Sequence, residues 1–290
     1  MKILYIRGNI HAKNNHALMN YKNITFCTVE NIETLDRIDL SDFDCIYSPY
    51  YPIYTSKYPN RKFIFGPHFS ILPENNIISI INNNNVIYVQ PSDWVVNLWK
   101  SFPVCQNIRI ELLPFGVDTV KFNEIKHINH RNKVFLYFKR RDPNELKNII
   151  NFLKTKNIHP KIFSYTNKYD ENEYINFLHD AKFGFWLDAH ESQGFALEEA
   201  LSCNVPLLVW NVTSLNQEHG SNYPKAPATT IPYWDERCGE YFTNIRQLET
   251  TFNKFITNLS EYKPREYILE NISIEKCEEK FINIVNSINN

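Results

Sequence analysis

Short β-rich runs separated by more polar stretches of crossover length recur along the chain and leave few folds open to it. In the first half they fall at residues 3–6, 24–29, 45–47, 63–65, 86–89 and 108–113. That rhythm predicts a parallel sheet, because parallel neighbours need a long crossover where antiparallel ones need only a turn. Several runs give way at once to Gly, Pro or Ser: Gly8, Ser48-Pro49, Gly66-Pro67 and Pro91-Ser92. These open the chain at the carboxyl ends of strands, where open α/β sheets bind ligands. Residues 93–100 carry Trp94 and Leu98 at helical spacing, with Ser92 or Asp93 placed to cap the helix.

A second alternation follows: strand 134–138, helix near 144–154, strand 161–165, helix near 171–180, strand 183–187, helix near 195–203 and strand 207–210. Between the two series, residues 121–133 (KFNEIKHINHRNK) are polar and read as a linker. A length of 290 residues suits two compact domains. The expectation is an α/β chain of two Rossmann-like domains, 1–120 and 133–290, with parallel sheets facing a cleft. Residues 273–289 place Ile274, Cys277, Phe281, Ile282, Ile284, Val285 and Ile288 near helical spacing, a closing helix that could pack on either domain.

Lys and Arg total 31 against 32 Asp and Glu, a formal net charge of -1, so no global field favours nucleic acid and any anion must be held locally. The longest apolar runs, such as 205–210, are too short to cross a bilayer, which leaves room only for peripheral membrane contact. The start, MKILYIRGN, reads as a buried first strand and not a signal peptide. A soluble, cytoplasmic protein is expected. The six cysteines are scattered, with no C-x-x-C pair and no metal-ligand spacing, so reduced thiols and no metal site are expected. Four N-x-[ST] matches, at Asn23, Asn211, Asn258 and Asn271, carry little weight in so asparagine-rich a chain, and the Asn82–Asn85 tract reads as a solvated turn.

The most informative stretch is 183–211, FGFWLDAHESQGFALEEALSCNVPLLVWN, a strand, a polar loop, a helix and another strand in succession. Its loop holds Asp188, His190 and Glu191. Gly194 permits close backbone approach, Phe195, Leu197, Ala200 and Leu201 form one helical face, and Asn204 with Pro206 ends the helix. A helix starting at a cleft offers N–H groups and a positive dipole end to a diphosphate, and the carboxylates of Glu191 and Glu199 suit sugar hydroxyls. The adjacent Glu198 reads as a solvated or helix-dipole residue.

The order Glu191, Ser192, Gly194-Phe195, Glu199-Ala200, Cys203 and Val205-Pro206 resembles the E-x7-E segment of retaining glycosyltransferases with the GT-B fold. VQPSDWVVNLWK followed by LLPFGVDTVKF is similar to the run that closes the first domain in that family. Gln193 and Asn204 depart from the pattern, and the first eighty residues are short for it. The resemblance implies a donor site for a UDP- or GDP-linked sugar, with Glu199 on the ribose and Glu191 on the transferred sugar. It places Ser192, Gly194 and Phe195 at the donor and assigns Lys139, Arg140 or Arg141, from LYFKRRD, to the diphosphate, leaving open which of the three. His68, in FGPHFS, is its best-placed catalytic histidine beside Glu191, while Gly8 and Asn9 follow the first strand. Tyr233, Trp234 and Asp235 line an acceptor groove or pack on the core.

The implied reaction moves the sugar to a hydroxyl of a glycan, glycolipid or small acceptor with retention, needing no cofactor beyond the donor and no metal. A non-catalytic sugar-nucleotide-binding scaffold and a GT-B-like epimerase are the alternatives. A hydrolase is disfavoured because both acids come from one short segment instead of flanking a bond.

Overall fold

A computed structural model describes residues 1–30, 32–167 and 169–288. The chain divides into two compact units, residues 1–116 with 272–290, and residues 117–271.

The first unit is built on six parallel strands: β1 (Lys2–Ile6), β2 (Thr25–Val29), β3 (Cys45–Ser48), β4 (Phe63–Phe65), β5 (Val86–Gln90) and β6 (Ile110–Leu112), in the order β2-β1-β3-β4-β5-β6. Its crossover helices include α1 (Ala12–Met19), α2 (Asn75–Ile81) and α3 (Asp93–Lys100). The inner strands are apolar on both faces, as strands covered on both sides must be. Ile46, Phe63, Phe65, Val86 and Tyr88 pack with Ile77 and Ile81 of α2 and Trp99 of α3. Ser92 is the N-cap residue of α3, but its hydroxyl makes no capping hydrogen bond.

The second unit carries five parallel strands: β7 (Lys133–Lys139), β8 (Lys161–Ser164), β9 (Ala181–Asp188), β10 (Leu207–Trp210) and β11 (Gly239–Phe242), in the order β11-β10-β9-β7-β8. Its helices are α4 (Pro143–Thr155), α5 (Glu171–Leu178), α6 (Phe195–Ser202), α7 (Leu248–Thr257) and α8 (Pro264–Asn271). Asp142 caps α4 by accepting from the Asn144 amide, and Pro143 occupies a first-turn position that needs no donor. Alternate side chains of the central strands go to opposite faces. Leu136, Phe185, Leu187 and Leu208 meet Ile149 of α4 and Phe252 of α7, while Phe135 and Trp186 lie on the other face with Tyr174 of α5 and the stacked ring of Tyr137.

The polar stretch expected as a linker is folded onto the second unit. Phe122 and Ile128 are buried there, and Arg131, also buried, donates to the carbonyls of Ala181, Cys203 and Asn204. A polar composition misled here because one arginine, spending its donors on backbone carbonyls, docks a segment as well as apolar side chains do.

The chain's last helix, α9 (Ile274–Ser287), belongs to the first unit. Phe281 sits among the rings of Tyr21, Phe26 and Tyr47, and Glu278 accepts from the backbone and side-chain amides of Asn23. Asn289, the end of the expected closing helix, lies outside the described residues. No helix among the described residues is long and apolar enough to cross a membrane. All six cysteines are free thiols.

Candidate functional site

In the second unit β8 lies on one side of β7, whereas β9, β10 and β11 lie on the other. The direction of winding therefore reverses between β7 and β9, and an open α/β sheet leaves its crevice at the carboxyl ends of the two strands flanking such a reversal. Lys139, the last residue of β7, stands in register with Asp188, the last of β9. The Ala189 amide closes the strand ends together, donating to the Lys139 carbonyl at 3.1 Å and to the Asp188 carboxyl at 2.7 Å.

The chain then enters the polar loop. The Glu191 amide donates to the Thr229 carbonyl, and the Glu191 carboxylate forms an ion pair with the Lys139 ammonium, both side chains largely shielded from solvent. Gly194 follows in the left-handed region, at φ 90°, and is the N-cap residue of α6. No Cβ is needed to explain this glycine, since an added one would meet only ordinary contacts; the backbone conformation itself requires it. Ser192 is exposed and Phe195 half-buried, while Glu199 lies within α6 at 2% exposure.

Charge is concentrated at the strand ends. Asp188 is 1% exposed, and burial, then the neighbouring Glu191, push its carboxyl well above the usual carboxylate range. Burial pulls Lys139 down, but Asp188 and Glu191 outweigh it and hold the ammonium above its ordinary value. Burial lowers His190, whose Nδ1 lies 3.6 Å from Glu218.

The three basic residues separate cleanly. Lys139 sits at the strand ends with Glu191. Arg140 is exposed, with φ 50°; its guanidinium lies 3.6 Å from Glu218, and its carbonyl accepts from the His219 amide. Tyr165, half-exposed after β8, places its ring 4.9 Å from the Lys139 ammonium and 5.9 Å from the Arg140 guanidinium. Arg141 turns inward at 2% exposure, donating to both oxygens of Glu145 and to the carbonyls of Asp188 and Trp210. Its side chain is committed to holding the strand ends.

In the first unit His68 follows the cis Gly66-Pro67 peptide after β4, and its backbone amide donates to Pro49. The Asn14 side-chain amide and His68 Nε2 are hydrogen-bonded at 2.8 Å, and the ring stacks on Phe115. Burial, with His11 adding to it, lowers His68 to about 4. Gly8 packs against Tyr50 and Tyr51.

No protein-family model matches this chain, and no curated protein matches it in sequence. Solved structures do. The lipopolysaccharide outer core galactosyltransferase WaaB, in its apo form, aligns over 99% of this chain and 99% of its own at 12% identity and a TM-score of 0.57. The N-terminal domain of Candida albicans trehalose-6-phosphate phosphatase aligns over 100% and 97%, with 12% identity and a TM-score of 0.61. Sucrose-phosphate synthase from Thermosynechococcus elongatus aligns over 85% and 74%, with 11% identity and a TM-score of 0.52. The chain has a GT-B-type fold. Identities this low establish the architecture and nothing finer.

Within this GT-B chain the structure gathers Lys139 and Glu191 at one pair of strand ends, with Ser192, Gly194, Phe195 and Glu199 following on one turn and helix, and places His68 in the other unit. Glu198 is not a solvated residue. It is fully buried, and the buried Gln193 side chain donates to both its carboxylate oxygens. The solvated alternative failed because α6 packs against α8, a contact no local pattern announces, whereas the helix-dipole alternative stands, since Glu198 lies in the first turn of α6. Sequence reading also passed over Tyr165, Asn14 and any role for Asp188. Only Asp188 left a signal, a lone acid ending the apolar run FGFWL. Among the described residues no three His, Cys, Asp or Glu side chains gather as metal ligands would.

Proposed function

We propose that this GT-B chain is a glycosyltransferase that moves a sugar from a nucleoside diphosphate sugar to a hydroxyl acceptor with retention of configuration. The observation that carries the reading is the Lys139–Glu191 ion pair at the winding reversal of the second unit, immediately ahead of the helix that holds Glu199. A diphosphate entering there would meet a cation and the first N–H groups of α6, both favourable to negative charge. The activities named for two structural neighbours, a galactosyltransferase and a sucrose-phosphate synthase, support the class.

In this proposal the bond between the anomeric carbon and the diphosphate oxygen breaks with its electron pair going to the diphosphate. Lys139, Arg140 and the α6 N-terminus take up that charge in place, a preorganised electrostatic contribution. The acceptor oxygen bonds to the anomeric carbon and passes its proton to the departing diphosphate oxygen. Glu191, drawn off Lys139 by the incoming phosphates, accepts hydrogen bonds from the transferred sugar, and Glu199 from the ribose. In the first unit His68, held through Nε2 by Asn14, is the candidate orienting group for the acceptor. The second unit is thereby the donor domain and the first the acceptor domain.

The test is turnover: the full chain with UDP- and GDP-linked sugars, with and without glycan, glycolipid and small hydroxyl acceptors, followed by nucleotide release and glycoside formation. Acceptor-dependent release, reduced about a hundredfold or more in Lys139→Ala, is expected. Epimerisation of the donor without any acceptor, or binding without turnover across the panel, contradicts the reading.

A further inference from the structure

The buried carboxylate of Glu198 has no part in that chemistry, and a carboxylate inside a protein is costlier than an apolar side chain of similar volume unless it is well paired. Here the pairing has a direction. Gln193 precedes the Gly194 turn and Glu198 lies one turn into α6; the Gln193 Nε2 donates to Oε1 at 2.8 Å and to Oε2 at 3.0 Å. The Glu198 amide also donates to the Gly194 carbonyl at 3.0 Å. One residue therefore closes the first turn of the helix by its backbone and bridges back across the glycine by its side chain. Both side chains are buried, Gln193 at 7% exposure and Glu198 at 0%, where low dielectric strengthens such a bond and makes its loss costly. Glycine alone leaves that turn many backbone conformations.

We propose that Gln193 and Glu198 are positioning residues for the donor: their clasp fixes the direction in which α6 presents its first N–H groups and, through the short arm from Glu191 to Gln193, holds Glu191 at the Lys139 end of β7. The inference rests on the donor-site reading above and adds to it two residues that need not touch the ligand.

Calorimetric titration of the full chain with UDP and with GDP tests it. The wild type binds one of them. Q193L, which keeps the bulk and removes the amide, weakens that binding about tenfold or more, whereas E198Q, which keeps an acceptor for the amide, stays within about threefold. The double variant Q193L/E198L removes the buried charge together with its partner, so it melts near the wild type yet remains about tenfold weaker. Should Q193L or the double variant not fold, Q193N, which keeps the amide but falls one methylene short, gives the same reading. Wild-type affinity in a folded Q193L/E198L or Q193N protein makes the clasp mere packing and overturns the inference. A wild type that binds neither nucleotide overturns the donor reading itself, so the two failures are distinct.

Discussion

Lys139 and Arg141 are both cations at the end of β7, and their surroundings give them opposite jobs. Arg141 is buried with its guanidinium bonded to Glu145, Asp188 and Trp210, so Arg141→Ala should cost about 3 kcal/mol of stability, read from urea unfolding. Lys139→Ala removes a largely shielded cation and leaves the Glu191 carboxylate without it. It should lower stability by about 2 kcal/mol, less than Arg141→Ala, while abolishing nucleotide binding. His68 makes a pH prediction. Its unfolded imidazole ionises near 6.5 and the folded one near 4, so between those values the unfolded chain binds more protons and stability falls as pH falls. The loss between pH 7.5 and 5 is about 2 kcal/mol, and a His68→Gln variant should lack that component when urea midpoints at the two pH values are compared. At this scale the sequence located Lys139 at a strand end and Glu199 on the helix after Gly194, where the structure has them, because charge at a strand end or beside a glycine is a local pattern. It did not separate Arg141 from Lys139, nor did it reveal that Glu198 is buried, because both facts depend on what packs over the residue from distant segments.

At the scale of elements, α6 organises the second unit. Its N-terminal turn is set by Gly194 and the Gln193–Glu198 clasp, while its C-terminal carbonyls are met by two arginines. Arg131 donates to Cys203 and Asn204, and Arg265 donates to Ser202 as well as to Thr119 and Phe122. Cations at a helix C-terminus match its dipole, so the same side chains that stabilise α6 also hold segment 117–132 in place. Gly194→Ala should cost about 1–2 kcal/mol from backbone strain alone, since a Cβ has room there, and Gly194→Asn less, because asparagine tolerates the left-handed region. Thermal unfolding of the two variants checks the order. The strands were largely readable, β4 and β10 to the residue, since a strand buried on both faces reads as an apolar run wherever it falls. The 117–132 segment was not, because its anchoring depends on arginine-to-carbonyl bonds whose acceptors lie far along the chain.

For the molecule as a whole, the chain passes between its units twice, after Gly116 and after Asn271, and returns its last helix to the first unit. Gly116 lies where those passages approach: a Cβ there would sit 2.4 Å from the Ile274 Cα. Removing residues 272–290 uncovers Tyr21, Phe26 and Tyr47, which Phe281 otherwise covers. Limited proteolysis of that truncated chain should therefore degrade residues 1–116 while leaving 117–271 resistant. The two-unit plan was foreseeable from two series of strands, but the helix's allegiance was not, since its apolar stripe fits either unit. The central claim is that the second unit binds a nucleoside diphosphate at the reversal between β7 and β9, and thermal unfolding with UDP, GDP and their sugars tests it most directly. A ligand at about a hundredfold over its dissociation constant adds roughly 2.7 kcal/mol, so one nucleotide class should raise the wild-type melting temperature by several degrees and leave Lys139→Ala and Glu199→Ala unmoved. No shift with any nucleotide, or an equal shift in all three proteins, would contradict it.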